Sequence, residues 1–137
     1  MSEDDKESMP DQYKTVSLEE FFEYSKSMFE YWTEDDFASS FRKMLTIEQF
    51  RSEEMQGLYQ QYLSSGPAAY VKDLFESMGI AHAEENAVRF YATMYFYYSV
   101  YDGADDKEKV KNEFASAIGS MAQEWIKQPK LTQIRKS

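Results

Sequence analysis

The stretch RFYATMYFYYSV, residues 89–100, places six aromatic rings in twelve positions and narrows what the chain can fold into. On a helical wheel, the large side chains that share one direction or lie beside it are Phe90, Tyr91, Met94, Tyr95, Tyr97, Tyr98 and Tyr101. The opposite side carries Ala92, Thr93 and Ser99, with Phe96 and Val100 between. A helix that is apolar or small almost all round is expected to be buried almost all round. The stretch is too short for a bilayer, which needs about 20 apolar residues, so we expect a core, a ligand or a second copy of the chain to surround it.

Apolar residues elsewhere repeat with the 3.6-residue period of a helix, and no segment alternates with the two-residue period of a strand. The stripes predicted to face a core are Leu18, Phe21, Phe22, Met28, Phe29 and Trp32; Phe37, Phe41, Met44 and Leu45; Met55, Leu58, Tyr59 and Tyr62; Val71, Leu74, Phe75 and Met78; and Val110, Phe114, Ala117, Ile118, Met121 and Trp125. With the aromatic helix over 83–101, they predict an all-α protein with a single domain of about six helices in residues 17–128. A chain of 137 residues can bury roughly two-thirds of its unfolded surface around one core.

Capping residues predict where these helices begin and end. Ser17 and Glu20 have the spacing of a capping box, in which each side chain satisfies a backbone N–H of the first turn. Thr33 and Ser52 are the candidate caps of the second and third helices. Gly66-Pro67 is predicted to separate the third helix from the fourth, because proline suits the first helical position.

The net charge of −10 limits the classes of partner, and the absence of cysteine bears on the cellular compartment. Nucleic-acid binding relies on Lys and Arg neutralising phosphates, so direct binding by so acidic a chain is not expected. The polar, acidic residues 1–16 are predicted to be a linker or disordered arm, and residues 129–137 a solvated tail. Without cysteine, and without a charged segment followed by an apolar run at the start, a cytoplasmic location is expected.

No catalytic or metal-binding pattern is present in the sequence. The only histidine, His82, stands beside Glu84 and Glu85 and is expected to be a solvated residue at a helix start, since a metal site needs several converging ligands. There is no G-x-S-x-G elbow and no glycine-rich phosphate loop. We therefore expect neither an enzyme nor a metal or cofactor.

The tyrosines are the remaining candidates for a site. Most of the aromatic rings are expected to lie in the core, but 11 of them belong to tyrosine, whose hydroxyl needs a partner when it is buried. A cavity lined by rings and a few hydroxyls suits a flat or apolar organic ligand, and methionines make such a cavity adaptable. The ligand-pocket candidates are Tyr24, Met28, Trp32, Phe41, Tyr59, Tyr62, Tyr91, Met94, Tyr95 and Tyr98.

A row of small residues marks the last predicted helix. Ala115, Gly119 and Ala122 follow one another at helical spacing, and a glycine inside a helix costs roughly 1 kcal/mol relative to alanine. Small residues let another helix approach closely, and that helix could belong to the same chain or to a second subunit. The dimer-interface candidates are Ala92, Phe96, Ser99, Val100, Ala115, Gly119, Ala122 and Ile126.

Several of these segments resemble the C-terminal domain of TetR/AcrR-type bacterial transcriptional regulators. The segment FRKMLTIEQFRSEEMQGLYQQYLSSGP, residues 41–67, is similar to one that recurs in a branch of that family, and the aromatic helix that ends in SVYDG, residues 99–103, adds to the likeness. The resemblance covers about residues 17–128. It implies a domain that dimerises through its last two helices as a four-helix bundle and senses a small organic molecule between its earlier helices.

The resemblance leaves the DNA-reading part unaccounted for. Regulators of this type begin with a basic three-helix DNA-binding domain, whereas residues 1–16 are short and acidic. DNA binding is thus expected only through a domain that is not in this chain, whether that domain was excised or is naturally missing. The alternative is a stand-alone helical protein–protein interaction module that binds no ligand.

Overall fold

The computed structural model describes residues 16–127, and all regular secondary structure in that part of the chain is helical. The helices are α1 (Leu18–Glu34), α2 (Asp36–Glu48), α3 (Glu53–Leu63), α4 (Ser65–Met78), α5 (Ala83–Gly103) and α6 (Lys107–Lys127). Only Asp35 separates α1 from α2, and only Ser64 separates α3 from α4, so the number of helices depends on whether one-residue breaks are counted. The all-α prediction is confirmed. Nearly all of the predicted arm and the whole predicted tail lie outside the described residues.

The first helix begins as predicted and ends later than predicted. The Ser17 hydroxyl accepts a hydrogen bond from the Glu20 backbone N–H at 3.0 Å, and the Glu20 carboxylate accepts one from the Ser17 N–H at 3.1 Å, which completes the capping box. The prediction that Thr33 caps the second helix is wrong. Thr33 is buried within α1 and donates to the Phe29 carbonyl at 2.7 Å, whereas the exposed carboxylate of Asp35 accepts from the Ala38 N–H at 2.9 Å.

Serine and glycine residues mark the boundaries of α3 and α4. The Ser52 hydroxyl accepts from the Met55 N–H at 3.1 Å, so Ser52 caps α3 as predicted. The break between α3 and α4 lies at Ser64, two residues before the predicted Gly66-Pro67. Gly66 belongs to the first turn of α4, and a Cβ there would collide with the backbone of Gln61. Gly79 ends α4 at φ 77°, a left-handed conformation that suits glycine.

Helix α5 is the centre of the molecule and packs against α1, α4 and α6. Four rings from four helices, Phe21, Phe75, Phe90 and Trp125, meet with centroids 4.7 to 6.4 Å apart. About two turns further along α1, Phe29 stacks on Phe114 at 4.4 Å. A smaller buried cluster of Leu45, Tyr59 and Leu63 joins α2 to α3.

Two stripes that the sequence placed in a core are only partly buried. Phe37 is 73% exposed and Met44 is also exposed, because α2 lies at the edge of the bundle and packs mainly on α1 and α3, which leaves Leu45 as the fully buried member of that stripe. The expectation that the aromatic helix is buried almost all round is also wrong for the chain by itself. Val88, Ala92, Phe96 and Ser99 are exposed on α5, because α1, α4 and α6 cover only its other side.

None of the helices within residues 16–127 is long and apolar enough to cross a membrane.

Candidate functional site

A cavity of about 240 Å³ lies between α1, the end of α3, the start of α4 and α5, and we call it the ring cavity. Its lining consists of Tyr24, Met28, Trp32, Gln61, Tyr62, Gly66, Pro67, Tyr70, Val71, Phe90, Tyr91, Met94 and Tyr98. Seven of the ten ligand-pocket candidates, Tyr24, Met28, Trp32, Tyr62, Tyr91, Met94 and Tyr98, are therefore brought together in one place.

Helical spacing explains how α1 and α5 contribute to this lining, to which the end of α3 adds Gln61 and Tyr62. Tyr24, Met28 and Trp32 follow one another at four-residue intervals on one side of α1. On α5, Met94 and Tyr98 have the same spacing. The tight approach of Gly66 to the end of α3 brings the first turn of α4 against these two helices, which closes the third side.

Three of the cavity tyrosines, Tyr24, Tyr91 and Tyr98, have a raised pKa and are neutral phenols at physiological pH. Burial raises the pKa of Tyr24 to about 12, and the neighbouring Tyr70 hydroxyl adds to the rise. Burial also holds the pKa of Tyr98 well above its usual value, with a smaller contribution from Tyr91. The Tyr91 hydroxyl donates to the Leu63 carbonyl at 2.6 Å, so it fastens α5 to the end of α3.

Arg42 packs against Tyr98, one of the residues that line the cavity. The sequence did not identify Arg42 as part of the site. Its guanidinium carbon is 5.0 Å from the centre of the Tyr98 ring, and its Nη2 donates to Asp102 Oδ1 at 2.9 Å. Its Nε also donates to the Trp32 carbonyl at 3.0 Å, where α1 ends. This buried guanidinium thus joins α1, α2 and α5, and Asp102 compensates its charge.

A second concavity, which we call the outer groove, is open to solvent between α3, α4 and α5 and has a volume of about 890 Å³. It is lined by Tyr59, Leu63, Ser64, Ser65, Ala68, Ala69, Lys72, Glu84, Val88, Tyr91, Ala92, Tyr95, Phe96 and Ser99. The ligand candidates Tyr59 and Tyr95 lie here and share a hydrogen bond between their hydroxyls. Burial, and then Tyr59, raises the pKa of Tyr95 to about 12. The groove also contains three dimer candidates, Ala92, Phe96 and Ser99.

The ligand candidate Phe41 lines neither concavity. It packs against the cluster of Leu45, Tyr59 and Leu63, and its ring lies edge-on to Tyr62 with centroids 5.4 Å apart. Phe41 does lie on the apolar side of α2, but that side packs against the small core between α2 and α3 and not against a cavity.

The dimer candidates of α5 and α6 divide between two sides. Phe96 and Val100 form a shallow surface depression with Ser116, Ala117 and Ser120, and Ile126 is exposed. The row of small residues points instead towards α1 of the same chain. A Cβ on Gly119 would lie 4.0 Å from Cε1 of Phe22, and Ala122 packs against the main core.

The ion pairs of α6 agree with that orientation. Lys111, one turn before Ala115, reaches the carboxylates of Glu30 and Glu34 on α1 at 3.0 and 2.9 Å. Gly119 therefore faces a helix of its own chain, and the exposed flank of α6 is the one with Ser116 and Ser120.

Within residues 16–127, no group of three or more His, Asp or Glu side chains is arranged to hold a metal ion. His82 is exposed directly before α5, in a left-handed conformation with φ 54°.

No protein family, curated protein or solved structure matches the chain.

Proposed function

We propose that residues 17–128 form the effector-sensing and dimerisation domain of a TetR-like transcriptional regulator. The domain binds a small organic ligand, and that ligand controls DNA binding in a full-length parent through a domain that is not in this chain. The observation that carries the proposal is the ring cavity, which gathers side chains from four helices around a space that one small molecule can fill. The resemblance of residues 41–67 to one branch of that family supports it.

The size and position of the ring cavity fit a sensor. A cavity of about 150 Å³ is enough for benzene, so 240 Å³ has room for a substituted ring. A ligand there would touch α1, α3, α4 and α5 at once. Because binding can shift a conformational equilibrium only by its difference in affinity for two states, contact with four separate helices gives the ligand a means to change their packing.

The outer side of α5 and α6 supports the dimer. Phe96 is 60% exposed and Val88 is 54% exposed, whereas neighbouring positions on this surface are small. In a homodimer, α5 and α6 of two copies would cover these residues as a four-helix bundle around a two-fold axis. The expected molar mass in solution is therefore twice 16.1 kDa. Sedimentation equilibrium that returns a monomer at micromolar concentration would exclude this part of the proposal.

A thermal-shift panel of small aromatic and apolar compounds tests the ligand. A compound at 100 times its Kd should stabilise the protein by about 2.7 kcal/mol. Met28→Trp, which fills the ring cavity, should abolish the shift, whereas Met44→Trp on the exposed side of α2 should preserve it. A shift that survives Met28→Trp would place the ligand elsewhere.

A stand-alone interaction module in the cytoplasm is the second candidate. It is favoured by the exposed apolar residues Phe37, Ile47 and Phe50 around α2, which lie outside both concavities. Such a module should show no stabilisation by any compound of the panel.

A further inference from the structure

The chemistry of the ring-cavity lining is unusually uniform. Seven of its thirteen residues carry rings: Tyr24, Trp32, Tyr62, Tyr70, Phe90, Tyr91 and Tyr98. Six of those seven are tyrosine or tryptophan, which have more electron-rich rings than phenylalanine. Among residues 16–127, no Lys, Arg, His, Asp or Glu lines the cavity.

This lining suits a cation better than an anion or a neutral hydrocarbon. The face of an aromatic ring is negative, and it attracts a cation by about 0.5–1 kcal/mol when exposed and by about 2 kcal/mol when desolvated. A neutral ligand could stack on these rings or hydrogen-bond a phenol, but only a cation would also gain the attraction of a charge to the negative ring faces. An anion would meet no basic side chain in the lining, and the chain as a whole has a net charge of −10.

Arg42 shows that one of these rings already holds a cation. Its guanidinium packs on Tyr98 at 5.0 Å without being part of the cavity lining, and Asp102 compensates its charge at 2.9 Å. The positive charge behind Tyr98 is therefore already paired.

We propose that the ring cavity binds an organic monocation, with an aromatic or alkyl group attached to a quaternary ammonium head, and that the rings hold it without an acidic counter-ion. The inference rests on the proposed ligand-sensing function and specifies its ligand class.

The test compares two molecules of the same shape and different charge. Phenyltrimethylammonium and tert-butylbenzene differ in a positively charged nitrogen against a neutral carbon. At equal concentration, within the solubility of the neutral compound, we expect the cation to bind at least about tenfold more tightly, as measured by calorimetry or by thermal shift.

Variants of Tyr70 locate the effect. Tyr70 is 53% exposed at the rim of the cavity, so its replacement should leave the fold intact. Tyr70→Phe keeps a ring and should keep most of the preference for the cation, whereas Tyr70→Leu should reduce it several-fold. Phe37→Leu, which removes an exposed ring far from the cavity, is the matched control and should change neither affinity.

The possible outcomes separate the two proposals. If tert-butylbenzene binds as tightly as the cation or more tightly, the cation inference is overturned and the ligand site stands. If the cation binds but Tyr70→Leu and Tyr70→Phe behave alike, the rings do not select it and the inference also fails. If neither compound binds, the cation inference is overturned, and the compound panel with Met28→Trp decides separately whether the cavity senses another ligand.

Discussion

Each face of α5 carries a phenylalanine, and the two rings have opposite surroundings. The inner face places Phe90, Met94 and Tyr98 against α1, α4 and α6, and Phe90 is only 1% exposed. The outer face presents Phe96 to solvent in the single chain, six positions further along the same helix. The difference teaches that aromatic content predicts a helix with much to bury, whereas the neighbouring helices decide which side is buried and which remains for a partner.

Identical substitutions on the two faces give the largest expected contrast. Phe90→Ala should lower the free energy of unfolding by about 3–5 kcal/mol, because it opens a cavity among Phe21, Phe75 and Trp125. Phe96→Ala should change the stability of the monomer by less than about 0.5 kcal/mol, because no such cavity forms at an exposed site. Urea unfolding measured at a concentration low enough to keep the protein monomeric checks both.

The same two variants test the dimer. Phe96→Ala should weaken dimerisation in sedimentation equilibrium while preserving the helical circular dichroism. Equal losses of stability from Phe90→Ala and Phe96→Ala would mean that the outer face is covered in the monomer, and the contrast between the faces would be lost.

The next contrast concerns the charges at the end of α5. Asp102→Asn should destabilise the protein by about 2–3 kcal/mol, because the guanidinium of the buried Arg42 loses its charged partner. This cost is at or below the lower end of the range measured when one partner of a buried ion pair is removed, because the side chain of Asp102 is partly exposed. Lys43→Ala is the matched control: Lys43 is exposed and lies 4.0 Å from the same carboxylate oxygen, so its loss should cost less than about 0.5 kcal/mol. If Asp102→Asn and Lys43→Ala lower the free energy of unfolding by similar amounts in chemical denaturation, the ion pair with Asp102 is not what stabilises the buried Arg42.

Local signals account for what the sequence predicted well. The capping box of Ser17 and Glu20 involves residues three apart, and it was predicted because no distant contact can alter it. The seven candidates in the ring cavity share the apolar sides of helices, and three such sides converge on one space.

Distant contacts account for what the sequence missed. Arg42 is sixty residues from Asp102, so nothing near it in the sequence marks it as buried. Tyr59 and Tyr95 were grouped with the ring-cavity residues, yet they lie in the outer groove, because a helical wheel gives the direction of a side chain and not the helix that it meets. Gly66 marked the break after α3 two residues late, since the tight turn uses its missing Cβ inside the first turn of α4.

Alkaline pH should lower the contribution of Tyr95, in the outer groove, to the stability of the protein. The pKa of Tyr95 rises from 10.0 to about 12 on folding, so the folded state keeps a proton that the unfolded state loses between these values. Its contribution is fully present below pH 10 and disappears as the pH rises towards 12, with a loss on the order of 1 kcal/mol after allowance for partial exposure. Urea midpoints at about pH 9 and about pH 11.5 should therefore differ more for the wild type than for Tyr95→Phe. An identical pH dependence in both proteins would mean that Tyr95 does not contribute to the loss of stability at alkaline pH.

The smallest expected effect concerns Gly119 and sharpens where the outer surface begins. Gly119 lies inside α6, where glycine costs roughly 1 kcal/mol relative to alanine. A Cβ there would sit 4.0 Å from Cε1 of Phe22, an ordinary van der Waals contact, so Gly119→Ala should stabilise the monomer by about 0.5–1 kcal/mol and leave the dimer dissociation constant unchanged. Ser116→Leu, on the flank that forms a depression with Phe96 and Val100, should have the opposite profile, with little change in monomer stability and weaker dimerisation. Denaturation of the monomer and sedimentation of the dimer separate the two quantities. If Gly119→Ala weakens the dimer and fails to stabilise the monomer, the row of small residues faces the partner subunit, and the boundary between the inner and outer surfaces has to be moved across α6.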